Sequence, residues 1–147
     1  MRRFIILLIM LVFLPLTAAR ADTSIFSESS GVAIGGYDTV AYFKAGHPMP
    51  GQRDFAVMWK GVTWLFVSDG NRQAFESNPR AYAPQFGGYC AYAVSNGYLM
   101  NGDPMAWEIV DNRLYLTFSP PVHQIWRKDR DGHIAKGQGN WPVVLRN

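Results

Sequence analysis

The sequence has one cysteine, little charge and one long apolar run. Cys90 is the only cysteine in 147 residues, so no disulfide can form within the chain. Charged residues make up 17% of the chain against 48% hydrophobic residues, which excludes an intrinsically disordered protein. The length is that of one domain and leaves no room for a second sizeable core.

The formal net charge of +3 comes from the N-terminal segment. Of the 14 lysines and arginines, Arg2, Arg3 and Arg20 lie in the first 20 residues, which leaves 11 basic residues against 11 acidic ones. A neutral body lacks the basic surface with which proteins bind nucleic acid. We therefore expect neither a nucleic-acid partner nor electrostatic binding to an acidic membrane.

The first 21 residues have the three parts of a secretory signal peptide. Two arginines precede an apolar run from Phe4 to Leu16, and the small-x-small triplet Ala19-Arg20-Ala21 precedes Asp22. In a helix, the apolar run would extend only ~20 Å, short of the ~30 Å hydrocarbon core of a membrane. The sequence thus predicts cleavage after residue 21, an exported protein that is periplasmic or secreted, and no stable membrane anchor after cleavage.

The rest of the chain predicts a short leader and one domain. Residues 22–31 are polar and serine-rich, which predicts a flexible leader, and no repeat or linker divides residues 32–147. Two hairpins are the clearest elements, with turns at Lys60-Gly61 and Asp111-Asn112 between runs of β-branched and aromatic residues. Residues 62–67 are apolar on both faces, which predicts a central, covered strand.

Short helices are predicted around the hairpins. Ser68 and Asp69 can cap a helix over 71–77, and Ser119-Pro120 opens another. Residues 32–43 predict a short strand or turn, 89–94 fit a buried strand or a buried helix, and 132–147 predict a mostly irregular tail. The predicted fold is therefore a small α+β domain with an antiparallel sheet of two hairpins and a few short helices.

Several segments resemble the YHS domain. They are the aromatic run Trp59-Lys60-Gly61-Val62-Thr63-Trp64-Leu65-Phe66-Val67-Ser68, followed by Asn71, Phe75, Asn78-Pro79 and Tyr82. Residues 83–91 resemble more specifically the exported bacterial proteins that contain this domain, and so do residues 36–43, 114–116 and 141–142. The resemblance covers nearly the whole chain after the signal peptide and implies a small α+β domain.

The same resemblance implies an association with metals. The wider family occurs beside heavy-metal pumps and metal-dependent oxygenases, and its metal-binding members typically carry one cysteine in the opening segment and another beside the end of the aromatic strand. This sequence has Ala41 and Val67 at the matching positions. This chain therefore lacks a thiolate ligand at both positions where the resemblance would place one.

Cys90 follows two glycines in an uncharged run and has three alternative roles. It can be a buried structural residue, a soft ligand for copper, or the nucleophile or redox centre of a small enzyme. The available co-ligands for copper are Met100, His123 and His47, and then Met49, Met58, Met105 and His133. No two of them have the short spacing typical of metal sites. The apolar flanks disfavour the low thiol pKa that catalysis requires.

The five tryptophans have two interpretations. Trp59, Trp64, Trp107, Trp126 and Trp141 can build the core of a domain without disulfides, or some of them can line a pocket for a flat apolar ligand. No paired carboxylates, nucleophile elbow or phosphate loop is present. The sequence predicts an exported binding module that handles a transition metal, with copper as the first candidate. The alternatives are a Cys90 enzyme and an interaction domain without a small ligand.

Overall fold

Two hairpins with left-handed turns organise the fold. In the computed structural model, which describes residues 23–146, Lys60 and Gly61 have φ values of 48° and 83°, and Asp111 and Asn112 have φ values of 50° and 59°. Positive φ at both residues is typical of the two-residue type I′ turn, whose twist matches that of the strands. Both predicted hairpins are confirmed. The predicted signal peptide, residues 1–21, lies outside the described residues.

The strands form two sheets. They are β1 (Glu28–Ser29), β2 (Val32–Ala33), β3 (Gln52–Trp59), β4 (Val62–Phe66), β5 (Asp103–Val110) and β6 (Arg113–Thr117). The first sheet has the order β1-β2-β4-β3, and the second consists of β5 and β6. Strand β2 is parallel to β4, and all other pairs are antiparallel. The prediction of one antiparallel sheet is therefore wrong in detail, because the hairpins lie in separate sheets and a segment before them adds a parallel neighbour to β4.

Short helices connect the strands. They are α1 (Thr39–Lys44), α2 (Asp69–Ser77), α3 (Pro79–Tyr82), α4 (Ala91–Ser95), α5 (Pro120–Arg127) and α6 (Arg130–Asn140). Turns of 3₁₀ helix lie at Ile34–Gly36, Gln85–Gly88 and Val143–Arg146. These elements make a small single domain of mixed helices and sheets, consistent with the predicted α+β class. None of the helices within residues 23–146 is long and apolar enough to cross a membrane.

Residues 32–43, predicted to form a short strand or turn, begin with strand β2 and a 3₁₀ turn as predicted, but they end in helix α1. The alternation of Val40 and Tyr42 suggested a strand, but the helix residues Thr39 to Tyr42 are all buried, so no polar face shows the helical period. Asp38 begins the helix, because its side chain accepts hydrogen bonds from the N–H groups of Val40 and Ala41 at 2.8 and 3.1 Å.

Two further segments are helical. Of residues 89–94, for which the sequence allowed a strand or a helix, residues 91–94 belong to α4, whereas Tyr89 and Cys90 form single β-bridges to Asn101 and Leu116. Helix α6 contradicts the predicted irregular tail as far as residue 140, and it forms although it contains three glycines, which weaken helices. One of these glycines is required by packing, since a Cβ at Gly137 would lie 2.7 Å from the ring of Phe86. Contact with the rest of the domain therefore overrides the low helix propensity.

Of the segment predicted to be a flexible leader, residues 22–31, the structure describes residues 23–31, and these contribute to the core. Phe26 is only 5% exposed, and its ring centroid lies 5.4 Å from that of Trp59 and 5.0 Å from that of Trp64. The Ser27 N–H donates a hydrogen bond to the carbonyl of Gly87 at 2.8 Å. The serine content suggested mobility, but one aromatic side chain and the pairing of β1 with β2 anchor the segment.

The hydrophobic core has two parts. The first lies around β4, where Trp64 and Phe66 pack on Phe75 of α2 with centroid distances of 5.0 Å in both pairs. The second lies where α4, α5 and β6 meet, around Trp126 and Tyr115. Strand β4 has β2 on one side and β3 on the other, so the predicted central strand is confirmed.

The buried carboxylate of Asp38 joins three elements of the first part. One oxygen caps α1, and the other accepts hydrogen bonds from the Val67 N–H at 2.9 Å and from the Asn71 side-chain amide at 2.7 Å. Val67 follows β4 and Asn71 lies on α2. A carboxylate without exposure to water is stable only with such donors, so these bonds fix α1, β4 and α2 relative to each other.

We predict that Asp38→Ala lowers the free energy of unfolding by more than about 3 kcal/mol, because four donors lose their acceptor. Chemical denaturation followed by tryptophan fluorescence measures the loss. Asp54→Ala, which removes an exposed carboxylate from β3, is the matched control and should change stability little. A loss below about 1 kcal/mol for Asp38→Ala would contradict the joining role of this carboxylate.

Candidate functional site

Cys90 lies at the start of α4 as its N-cap residue. The side chain is 1% exposed, and its Sγ accepts a weak hydrogen bond from the Ala93 N–H at 3.5 Å. The Cys90 N–H donates to the carbonyl of Met100 at 2.8 Å. A nucleophile or an exchangeable metal ligand needs access to solvent, so this geometry favours the buried structural role among the three alternatives.

Two of the other predicted copper ligands, His47 and His123, have their observed contacts with residues other than Cys90. The observed contact of Met100 with Cys90 is through its main chain, and the ring of His47 lies in an exposed loop beside the carbonyl of Pro48. His123 lies beside Glu108 instead. Within residues 23–146, no three His, Cys, Asp or Glu side chains are grouped as a metal site requires.

His123 belongs to an ionic cluster around Glu108. The His123 Nε2 and the Arg127 Nε both lie 3.3 Å from Glu108 Oε2, and the Arg130 Nη1 lies 3.0 Å from Oε1. The contact with Arg130 has hydrogen-bond geometry, whereas Oε2 receives no aligned hydrogen bond from the described residues. The cluster therefore pairs the Glu108 carboxylate with two guanidinium groups beside the His123 imidazole, and it joins β5 to α5 and to the start of α6.

The same cluster places a hydroxyl, an imidazole and a carboxylate in a row, but the geometry does not suit catalysis. The His123 Nδ1 lies 3.4 Å from the Thr117 hydroxyl, which is fully buried and donates a hydrogen bond to the carbonyl of Ala106 at 3.2 Å. A nucleophilic hydroxyl must be open to substrate and free to give its proton to the imidazole. Thr117 meets neither requirement.

A cleft of about 380 Å³ lies between the first hairpin and the C-terminal part of the chain. Its aromatic walls come from four separate segments: Phe26, Trp59, Phe86 and Trp141. We call it the aromatic cleft. Two of these side chains, Trp59 and Trp141, are only half-buried, and the volume is within the range of about 300–1,000 Å³ that small-molecule sites occupy.

The polar lining of the aromatic cleft is basic. It consists of Lys60, Arg80 and Arg113 with the amides of Gln85 and Gln138, and no Asp or Glu is found among the described residues that line it. None of the three cations forms an ion pair within residues 23–146. The Lys60 ammonium lies 4.9 Å from the centroid of Trp59, a cation–π distance.

The floor of the cleft is the turn Gln85–Gly88. Phe86 and Gly87 have φ values of 53° and 63°, which is a strained conformation for phenylalanine. A Cβ at Gly87 would overlap the carbonyl oxygen of Ile25, so only glycine fits where the turn meets the N-terminal segment. Strain of this kind persists where the surrounding structure enforces it, and it is frequent at ligand sites.

Sequence reasoning left this cleft unrecognised. It noted the two glycines before Cys90 and left open whether some tryptophans line a pocket. The structure places Trp59 and Trp141 in the cleft, while Trp64 and Trp126 are fully buried. The three cations come from positions 60, 80 and 113, so no local pattern in the sequence could have connected them.

Comparison of the chain with protein-family models, with curated proteins and with solved structures finds no match. The resemblance to the YHS domain rests on the sequence motifs alone and stays a prediction. Interpretation of the cleft therefore depends on its own residues.

We predict that Cys90 does not react with the thiol reagent DTNB in the native protein, because the thiol is buried. In denaturant the same thiol should react fully, and the absorbance of the released thionitrobenzoate measures both. Stoichiometric labelling of the native protein within the mixing time would contradict the structural role of Cys90. It would instead favour the hypothesis that Cys90 is the nucleophile or redox centre of an enzyme.

We expect the free energy of unfolding to depend on pH through the titration of His123. Burial lowers the pKa of His123, although the Glu108 carboxylate acts in the opposite direction, and the Arg127 charge lowers the pKa further. The unfolded chain has the ordinary pKa of about 6.5, so it binds the proton before the folded chain does as the pH falls. Stability should therefore decrease from about pH 6.5 downward until the pH is below the folded pKa.

His123→Gln should lose less stability than the wild-type protein between about pH 7 and about pH 5. Denaturant unfolding at a series of pH values measures this difference. His47→Gln, which replaces the exposed loop imidazole, is the control and should follow the wild type. Equal pH slopes for His123→Gln and wild type would show that the His123 pKa is not lowered by folding.

Proposed function

We propose that this protein is an exported, YHS-like binding module that holds a small organic molecule in the aromatic cleft. The observation that carries the proposal is the convergence of Phe26, Trp59, Phe86 and Trp141 on one open space. Phe26 and Phe86 are buried and form the inner part of this wall, whereas Trp59 and Trp141 are half-buried and face the open space. Aromatic surface that remains exposed in a concave site is typical of ligand pockets. The predicted signal peptide supports export.

The walls offer apolar surface that contributes to the affinity for a ligand. A flat ligand that removed about 200 Å² of apolar surface from water would gain on the order of 5 kcal/mol before the costs of association. The open indoles of Trp59 and Trp141 provide this kind of surface, and aromatic pairs add a further, geometry-dependent term. The cleft therefore favours a flat apolar body over a sugar or a small inorganic ion.

The cleft is also held in shape by hydrogen bonds near its walls. The Trp64 Nε1–H donates to the carbonyl of Trp59 at 3.2 Å, and the Tyr89 hydroxyl donates to the carbonyl of Ser24 at 2.7 Å. Together with the bond from Ser27 to Gly87, these contacts fasten the hairpin and the N-terminal segment to the floor. A ligand would therefore bind to a preformed site and lose little affinity to ordering.

The other predicted functions have less support from the geometry. Copper handling and catalysis both depend on an accessible Cys90, whereas its Sγ is buried and caps α4. An interaction domain without a small ligand would leave the aromatic cleft without a role. A binding experiment separates this last alternative from the proposal.

We predict that the neutral dye N-phenyl-1-naphthylamine shifts the indole N–H signals of Trp59 and Trp141 in the ¹⁵N NMR spectrum. The chain has five tryptophans, so the signals can be assigned with single Trp→Phe variants. Trp107 and Trp126 contact Tyr42 and Tyr115 in other parts of the domain and serve as internal controls. Their signals should not move.

A blocking variant tests the location. Gln138→Trp adds a large side chain at an exposed position of α6 that lines the cleft, so it should weaken dye binding. Gln124→Trp makes the same change at an exposed position of α5 and should not. The proposal is wrong if the dye leaves the Trp59 and Trp141 signals unchanged at saturation, or if both variants bind it like wild type.

A further inference from the structure

We infer that the ligand of the aromatic cleft is an organic anion, a molecule with a flat apolar body and an acidic group. This inference rests on the proposed function, because it names the class of ligand for the same cleft. The observation behind it is the placement of Lys60, Arg80 and Arg113 around apolar walls without a carboxylate among the described lining residues.

The charge of the cleft differs from that of the chain around it. Outside the predicted signal peptide the chain has 11 basic and 11 acidic residues, so a random patch should be close to neutral. Three other arginines, Arg72, Arg127 and Arg130, are paired with carboxylates. The cations of the cleft have no such partners within residues 23–146, so their charge is available to a ligand.

The three cations belong to different elements. Lys60 lies in the turn between β3 and β4, Arg80 on α3 and Arg113 at the start of β6. A row of charges on one helix would be an ordinary solvated surface, but three separate elements that face one space form a site. Guanidinium groups suit this role because they bind carboxylate, sulfonate or phosphate oxygens through two N–H groups.

Lys60 lies where it can bind the acidic group of a ligand whose flat body contacts Trp59. Its ammonium lies 4.9 Å from the centroid of Trp59, so charge and aromatic surface are adjacent. A flat ring stacked on the Trp59 side of the cleft would carry its acidic group toward Lys60. The amides of Gln85 and Gln138 add neutral donors to the lining.

Arg113 is shared with a neighbouring cavity and is the less specific of the two arginines. That cavity also contains Asp111 and Asp131, and Tyr115, whose pKa is raised by burial while Arg113 opposes the rise. Asp131 is already paired with Arg130 at 3.4 Å. Arg80 has no carboxylate of this kind beside it in the lining, so it gives the sharper test.

Two dyes that differ by one acidic group provide the test. N-phenyl-1-naphthylamine is neutral, and 8-anilino-1-naphthalenesulfonate has the same ring system with a sulfonate. Fluorescence titration should give a dissociation constant for the sulfonate dye that is lower by about tenfold or more, the effect of one charge-assisted hydrogen bond. Added salt should weaken the binding of the sulfonate dye and leave the binding of the neutral dye unchanged.

Arg80→Gln should raise the dissociation constant of the sulfonate dye about tenfold and change that of the neutral dye less than about twofold. Arg53→Gln removes an exposed arginine from β3 and is the matched control for net charge. Lys60→Gln is the second variant, with the same expected selectivity, in case Arg80→Gln folds poorly. Near-ultraviolet circular dichroism of each variant excludes dye binding to partly unfolded protein.

The outcomes separate the two proposals. Equal affinity of both dyes for wild type, or equal weakening by Arg53→Gln and Arg80→Gln, would overturn the anion inference. In that case, shifts of the Trp59 and Trp141 signals by the neutral dye would still support the cleft as a binding site. If the neutral dye leaves those two signals unchanged at saturation, the proposed function itself is wrong.

Discussion

The arrangement of the domain depends on the four hydrogen bonds to the buried Asp38 carboxylate. They hold the start of α1, the end of β4 and the start of α2 together, and β4 is the central strand of the first sheet. Strand β4 in turn fixes the hairpin that carries Trp59 and Lys60 into the cleft. A polar interaction thus sets the direction of elements that apolar packing alone would allow to slide.

The other side of the cleft depends on close contacts that only glycine permits. Gly87 brings the floor against the carbonyl of Ile25, and Gly137 lets α6 approach the ring of Phe86. Since α6 ends beside Trp141, this approach also sets the position of the last aromatic wall. Both the floor of the cleft and its last aromatic wall therefore depend on close contacts at glycines.

The elements that the sequence predicted correctly are those with local causes. The turns at Lys60-Gly61 and Asp111-Asn112 and the caps at Ser68 and Ser119 depend on neighbouring residues only. Helix α6 and the burial of Phe26 depend on contacts with Phe86 and Trp64, which are remote in sequence. The cleft could not be predicted for the same reason. Its cations at residues 60, 80 and 113 are far apart in the sequence, and no spacing rule connects them.

The aromatic residues serve stability and the proposed binding role at once. Trp59 packs against Phe26 and Phe75 with centroid distances of 5.4 and 5.6 Å, and it also lines the cleft. A domain without a disulfide needs such pairs, so the walls are rigid before any ligand arrives. Because the body of the chain is neutral, it provides little long-range attraction for an anion. Discrimination between an anion and its neutral analogue must then arise at contact, through charge-assisted hydrogen bonds from Lys60 and Arg80 to the acidic group.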